Sequence, residues 1–148
     1  MHLLDTDALS ITSPASRLSG DAVETWRAWV RRNQDTLFLS VITIMEVRFG
    51  LERLRTRGAS RKATDLAKWL LITETIYRDR LIWVSPEIAH RAGEMLARAA
   101  KAGVTPGAED ALIAASAEAS GFRLVTRNEK HMRAFEVELL NPLSAPPG

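Results

Sequence analysis

Three acidic residues stand within or beside apolar runs at widely separated points of the chain. Asp5 closes the run HLL, Glu46 lies inside SVITIMEVRFG, and Asp110 opens DALIAASA. A carboxylate in apolar surroundings is costly unless a positive group compensates its charge. Mg²⁺ suits that task, because it takes oxygen ligands and is usually held by one or two carboxylates together with substrate phosphate. The three acids therefore predict a metal site that acts on a phosphoryl or phosphodiester substrate.

Short apolar segments alternate with longer segments of helical periodicity, and this alternation determines which residues can meet. Strands are predicted at residues 2–4, 37–39, 81–84, 123–125 and 137–140, with helices in most of the intervals. Asp21, with Glu24 three positions later, predicts a capping-box start for one helix. Wholly apolar strands separated by helices are typical of a parallel sheet covered on both faces. We therefore expect an α/β fold with a mainly parallel sheet of four to five strands, flanked by helices on both faces.

Polar side chains follow the carboxyl ends of three predicted strands, where ligands collect on parallel sheets. These residues are Asp5 and Thr6, Ser40 and Thr43, and Thr126 and Asn128. Glu46 comes one helical turn after Thr43 and should lie near the same edge. Asp110 falls in the first turn of its helix, where the helix dipole favours a negative group whether or not a metal is bound. We expect these residues to share one cleft.

The chain's length and composition predict a single domain. Its 148 residues are enough to bury a core, and we place one domain at 1–141 and a frayed, Pro-rich tail at 142–148. The absence of cysteine excludes disulfides. No segment approaches the ~18 consecutive apolar residues of a membrane span, and the first residues do not resemble an export signal. We therefore expect a cytoplasmic protein without a membrane partner.

Basic residues are concentrated after Glu46. The formal net charge is only +2, but one region contains Arg48, Arg53, Arg55, Arg57, Arg61 and Lys62. Such a cluster could contact a polyanion, or it could be the solvated face of a helix.

Four segments resemble the motifs of the PIN-domain family. They are LLDTDALS, SVITIMEVRFG with its S-x-I-T-x-x-E-x-x-x-G pattern, DALIAASAEASGF and LVTRNEKHM. They occur in the family's order and together span nearly the whole chain, which looks most like the VapC-type toxins of bacterial toxin–antitoxin pairs. The resemblance implies a PIN-like sheet between helices and Mg²⁺-dependent ribonuclease activity, with Mn²⁺ as a possible substitute. It also implies a homodimer and a cognate antitoxin whose tail occupies the cleft.

Carried over residue by residue, the family's metal-binding acids are Asp5 and Asp110. Its motif-two glutamate, which often holds the metal through water, is Glu46. The family's fourth acid falls on Asn128 in one version of the motif and on His131 in another. Neither is a carboxylate, so the resemblance implies a site with one negative charge fewer, in which Asn128 offers a neutral oxygen or holds a water.

The chemistry expected is hydrolysis of an RNA phosphodiester. Mg²⁺ on Asp5 and Asp110 would orient a water and lower its pKa, while Glu46 positions that water or accepts its proton. Thr6 and Thr126 would hydrogen-bond the carboxylates and orient them. These two hydroxyls could equally be ordinary turn residues. The predicted catalytic set is thus Asp5, Glu46 and Asp110.

Two other functions stay open at this point. LLDTDAL also resembles the strand-end D-x-D of haloacid-dehalogenase-like phosphatases, with Asp5 as nucleophile and Asp7 as acid. Leu9 stands where that family usually has Thr or Val, and the family's later lysine and acid pair are not evident. The other alternative is a non-catalytic PIN module that binds RNA or a protein partner, because its fourth acid is missing.

Overall fold

A five-stranded parallel sheet forms the centre of the molecule. The computed structural model describes residues 1–144. The strands are β1 (His2–Leu4), β2 (Leu37–Ser40), β3 (Leu81–Ile82), β4 (Arg123–Val125) and β5 (Leu139–Leu140). Their order is β3-β2-β1-β4-β5, and every neighbouring pair is parallel. The predicted α/β class and parallel sheet are confirmed.

Helices connect the strands and cover both faces of the sheet. They are α1 (Thr6–Ser10), α2 (Asp21–Arg32), α3 (Val41–Thr56), α4 (Ser60–Ile76), α5 (Pro86–Lys101), α6 (Ala108–Ser120) and α7 (Glu129–Met132). Successive residues of a strand point to opposite faces. Accordingly, Leu3 belongs to a buried cluster formed with α5 and α6, whereas Leu4 belongs to a cluster formed with α1 and α2. A third cluster joins α3 to α4.

The register of the three central strands places the polar residues that follow them side by side. Leu4 pairs with Leu39 of β2 and with Val125 of β4. The next residue along each strand is Asp5, Ser40 or Thr126, and all three are buried. The sheet's carboxyl edge is therefore where the chemistry-bearing residues converge.

The predicted bounds of the two outer strands were too long. β3 ends at Ile82 instead of residue 84, and Trp83 is 74% exposed. β5 begins at Leu139 instead of residue 137. Both are edge strands that pair with one neighbour only. The apolar sequence of β3 therefore extends beyond its paired residues, whereas Glu138, just before β5, is charged and its carbonyl accepts the Leu124 N–H at 2.9 Å.

The capping-box prediction for α2 was wrong. Asp21 is the first helical residue, and the N-cap is Gly20, which makes no side-chain cap bond. Gly20 adopts a φ of +109°, a conformation that L side chains rarely take. The chain therefore turns into the helix one residue early. The carboxylate of Asp21 remains in the first turn, where the dipole favours it.

The boundary placed after residue 141 stays a prediction. Pro142 is buried and Leu143 packs against the cluster around α2, while residues 145–148 of the predicted tail lie outside the described residues. Within 1–144, no helix is both long and apolar enough to cross a bilayer.

Candidate active site

Asp5 is the most deeply placed acid of the sheet edge. It caps α1, and its Oδ1 accepts the Thr6 backbone N–H at 2.8 Å. Its Oδ2 accepts the Thr126 hydroxyl at 2.7 Å. The residue is 4% exposed, and this burial, reinforced by the charge of Asp7, raises the pKa of Asp5 to about 7 despite the two hydrogen bonds. Its carboxylate is thus fixed in orientation and lacks charge compensation.

Glu46 reaches the same edge from α3. That helix starts directly after β2 because the Ser40 hydroxyl caps it, accepting the Ile42 N–H at 3.1 Å. Glu46 Oε1 accepts the Thr6 hydroxyl at 2.6 Å. Burial raises the pKa of Glu46, the Thr6 hydrogen bond opposes this, and the charge of Asp110 adds to it. Thr6 therefore contacts both Asp5, through its backbone, and Glu46, through its side chain.

Asp110 lies in the first turn of α6, as its sequence context predicts. Burial raises the pKa of Asp110. The nearby ring of His131 lowers this pKa, whereas the charges of Glu109 and Asp7 raise it further. The charge of Asp110 in turn contributes to the raised pKa of Asp5. Asp110 and Asp5 are therefore close enough to influence each other, although 105 positions separate them.

Asp7 is a fourth acid at this edge, and the sequence pointed to it only for the phosphatase alternative. Its carboxylate accepts the Arg127 backbone N–H at 3.1 and 3.3 Å. It lies 3.4 Å from the Thr126 hydroxyl and 3.8 Å from Arg127 Nε. Burial raises the pKa of Asp7, and the contacts with Arg127 and Thr126 lower it. The signal available in the sequence was its position two residues after Asp5.

One cavity of about 340 Å³ unites the acids. It is lined by Asp5, Thr6, Asp7, Glu46, Asp110 and Asn128. Of the residues predicted to share this cleft, Thr126, Ser40 and Thr43 are not in its lining: all three are fully buried, and Thr126 is bonded to Asp5. The structure thus brings the three predicted catalytic acids together in one cavity, and the expectation that Ser40 and Thr43 line it was wrong. Their assignment as metal ligands and catalysts stays a prediction.

The loop after β4 carries the position where the family's fourth acid is missing. The Thr126 hydroxyl accepts the Asn128 backbone N–H at 2.9 Å. Asn128 Nδ2 lies 3.4 Å from His131 Nδ1. Glu129 is bound elsewhere, because its carboxylate accepts Asn141 Nδ2 at 3.0 Å. Glu129 therefore does not replace the absent carboxylate.

The donor set fits Mg²⁺ by its chemistry. Four carboxylates and one amide line the cavity, and hard oxygen ligands are what this ion prefers. Across residues 1–144, however, no three His, Asp or Glu side chains are already arranged around a common metal position. Mg²⁺ is usually held by one or two carboxylates and keeps several waters. The site therefore suits an ion that is held by two carboxylates and keeps several waters. It does not suit an ion enclosed entirely by protein ligands.

A second cavity adjoins the acidic one and carries basic residues. Its volume is about 370 Å³, and it shares Thr6 and Glu46 with the acidic cavity while including Arg17 and Arg127. A third, of about 140 Å³, is lined by two basic residues, Arg17 and Lys62, and by one acidic residue, Asp65. Arg17 was not predictable from the sequence, because a single arginine in a Ser-rich loop gives no signal by itself.

The predicted basic run is partly neutralised within the helix. Arg48 and Arg55 both pair with Glu52, at 3.6 and 2.6 Å, and Arg53 lies over the Phe49 ring. Much of this run is therefore a solvated helix face.

Comparison with known families agrees with the geometry. The family model described as PIN domain matches residues 3–136. The chain belongs to the PIN-domain family. The resemblance to that family seen in the sequence motifs is therefore confirmed.

Individual relatives are similar to this chain over most of its length. The plasmid stability protein StbB of Pseudomonas syringae pv. tomato is 30% identical over 98% of this chain and 100% of its own length. The VapC ribonuclease Y4jK of Sinorhizobium fredii is 31% identical over 78% of this chain and 81% of its own. The FitAcB crystal structure from Neisseria gonorrhoeae superimposes with a TM-score of 0.82 at 25% identity, covering 98% of this chain and 100% of that one.

Proposed function

We propose that this PIN domain is a Mg²⁺-dependent endoribonuclease and acts as the toxin of a toxin–antitoxin pair. The observation that carries the proposal is the convergence of Asp5, Glu46 and Asp110 on one cavity at the carboxyl edge of the sheet. Similarity to a VapC ribonuclease along most of the chain supports the choice of RNA.

The carboxylates of Asp5 and Asp110 would hold the ion. When bound, Mg²⁺ supplies charge stabilisation at the phosphate and lowers the pKa of a coordinated water. Mn²⁺ would be an effective substitute. Thr126 and the Thr6 N–H fix the orientation of the Asp5 carboxylate, one on each oxygen. Such hydrogen bonds keep a ligand in one geometry and raise metal affinity.

Glu46 would position the attacking water and accept its proton as a P–O bond of the RNA backbone breaks. Thr6 holds one of its oxygens, which leaves Oε2 for the water. The raised pKa of Glu46 brings this base closer to neutrality, where general bases are most effective.

The adjoining cavities form a path for the RNA backbone. From the acids the path passes Arg127 and Arg17 and then reaches Lys62, because neighbouring cavities share lining residues. Cations of this kind neutralise phosphates, and binding that depends on them weakens as salt rises. We assign Arg17, Arg127 and Lys62 to this path.

A cognate antitoxin and a homodimer, both implied by the VapC-type resemblance, complete the proposal together with a cytoplasmic location. Exposed apolar side chains support the proposal that the chain binds protein partners. Phe49 is 65% exposed beside the acidic cavity, and Leu71 and Trp83 are exposed to a similar degree. Phe49 lines one cavity together with Met45, which is 48% exposed, and exposed apolar side chains that lie together commonly mark protein interfaces.

A cleavage assay tests the activity. The purified chain is incubated with single-stranded RNA in Mg²⁺ or in EDTA, with Asp5→Ala, Glu46→Gln and the remote control Asp35→Asn. We expect cleavage only with the metal, loss in Asp5→Ala, a fall on the order of 10²-fold or more in Glu46→Gln, and no change in the control. Growth arrest on expression, absent in Asp5→Ala, tests toxicity.

Two results would replace this proposal. RNA binding without cleavage at any Mg²⁺ or Mn²⁺ concentration would indicate a non-catalytic module. Release of phosphate from a small phosphomonoester, lost in Asp7→Asn but kept in Glu46→Gln, would indicate a phosphatase.

A further inference from the structure

The cavity contains one more carboxylate than the carried-over PIN motifs assign. Those motifs place acids at Asp5, Glu46 and Asp110 and leave Asn128 without the expected charge. Asp7 lines the same cavity as all four of these residues. The carboxylate of Asp7 is therefore a candidate for the negative charge that position 128 lacks.

Asp7 is held against the loop that carries Asn128. Its carboxylate accepts the backbone N–H of Arg127, the residue immediately before Asn128, at 3.1 and 3.3 Å. The Thr126 hydroxyl lies 3.4 Å away. Asp7 thus reaches from α1 to the segment in which the family's fourth acid would stand.

Two features show that Asp7 does more than complete an ion pair. The Arg127 guanidinium is 3.8 Å away and 36% exposed, so it compensates the carboxylate only weakly. Asp7 lines one cavity with Asp5, Glu46 and Asp110, so its negative charge faces the same space as theirs. A backbone N–H bonded to Asp7 fixes its position without removing that charge.

We propose that Asp7 supplies the fourth carboxylate of the metal-binding cavity, in place of the acid that position 128 lacks. This inference rests on the proposed function, since it assumes that the cavity binds a divalent cation. Asp7 contributes the charge from α1, whereas the family motif would contribute it from the loop after β4.

Metal titration separates a charge role from a purely structural one. Calorimetry with MnCl₂ and MgCl₂ at constant ionic strength compares the full-length wild type with Asp7→Asn, Asn128→Asp and the double variant. Asn at position 7 keeps an oxygen that accepts the Arg127 N–H, so it removes the charge and leaves the loop anchored. Asp35→Asn is the matched control, because that exposed residue lies before β2, at the far end of the strand.

The expected result is a loss of at least about tenfold in metal affinity for Asp7→Asn, with recovery in the double variant and no change in Asp35→Asn. An affinity in Asp7→Asn equal to that of wild type would overturn the inference. So would a loss that Asn128→Asp does not recover, because it would mean that Asp7 acts through loop geometry.

Two further controls keep the outcomes separate. If Asp7→Asn does not fold by circular dichroism, Asp7→Ser replaces it, since a hydroxyl also accepts the N–H. If wild type itself binds neither ion, the proposed function fails. Binding in wild type with an unaltered Asp7→Asn contradicts the Asp7 assignment alone.

Discussion

Thr126 shows how one side chain connects two parts of the candidate site. Its fully buried hydroxyl donates to Asp5 and accepts the Asn128 N–H, at 2.7 and 2.9 Å. Its place after a strand was predictable from an apolar run. The role of Asp7 was not, because its contacts with Thr126 and Arg127 span about 120 positions and appear only when β1 and β4 are adjacent.

Replacing Thr126 by Val removes both hydrogen bonds and keeps the shape of the side chain. We expect RNA cleavage and Mn²⁺ affinity each to fall about 10-fold to 100-fold, because the Asp5 carboxylate loses its orienting donor. Thr126→Ser keeps the hydroxyl and should stay near wild type in both measurements. A loss in Thr126→Ser with Thr126→Val near wild type would show that packing of the methyl group matters, and not the hydrogen bonds.

At the scale of elements, the central strands were predictable from the sequence, but the lengths of the two edge strands were not. β1, β2 and β4 consist mainly of apolar residues because both of their faces are buried. The extent of β3 and β5 depends on how much of a single neighbour is available for pairing. The length of neighbouring strand that is available for pairing depends on the assembled sheet. It cannot be read from the local sequence pattern.

The turn between α3 and α4 depends on Gly58. This residue has a φ of +74°, and no atom lies within 4 Å of the position that a Cβ would occupy. Gly58→Ala should therefore lower the free energy of unfolding by about 1–2 kcal/mol through backbone strain alone.

Gly93 is the matched control, because it lies inside α5, has an ordinary φ and is equally free of neighbours. Gly93→Ala should raise the free energy of unfolding by about 0.5–1 kcal/mol. Urea denaturation measures both variants, and a change of the same sign in the two would contradict this explanation.

For the whole molecule, the clustered acids make stability depend on pH. Folding raises the pKa values of Asp5, Asp7, Glu46 and Asp110, mainly through burial. A carboxyl with a raised pKa favours the folded state while it is protonated. Its contribution is complete below its ordinary pKa and is lost as the pH rises through the folded value.

Asp5→Asn tests this relationship. For Asp5 the ordinary pKa of 3.8 and the folded value of about 7 define the pH range. In EDTA, the unfolding free energy of wild type relative to Asp5→Asn should fall by a few kcal/mol (~1.4 kcal/mol per pKa unit) between about pH 4 and pH 7.

Thermal and urea unfolding at a series of pH values provide the measurement. At pH 8, Mg²⁺ should restore stability to wild type but not to Asp5→Asn. A constant difference between the two proteins across the range would show that Asp5 titrates normally.

The bond between Asp5 and Thr126 joins residues 121 positions apart. During synthesis Asp5 leaves the ribosome early, whereas Thr126 leaves it only near the end. Until then β1 lacks its β4 neighbour, and the acid after β1 has no hydroxyl to orient it. If the chain is the nuclease proposed above, an unfinished copy therefore lacks an ordered site, and activity has to wait until β4 has been made and has paired with β1.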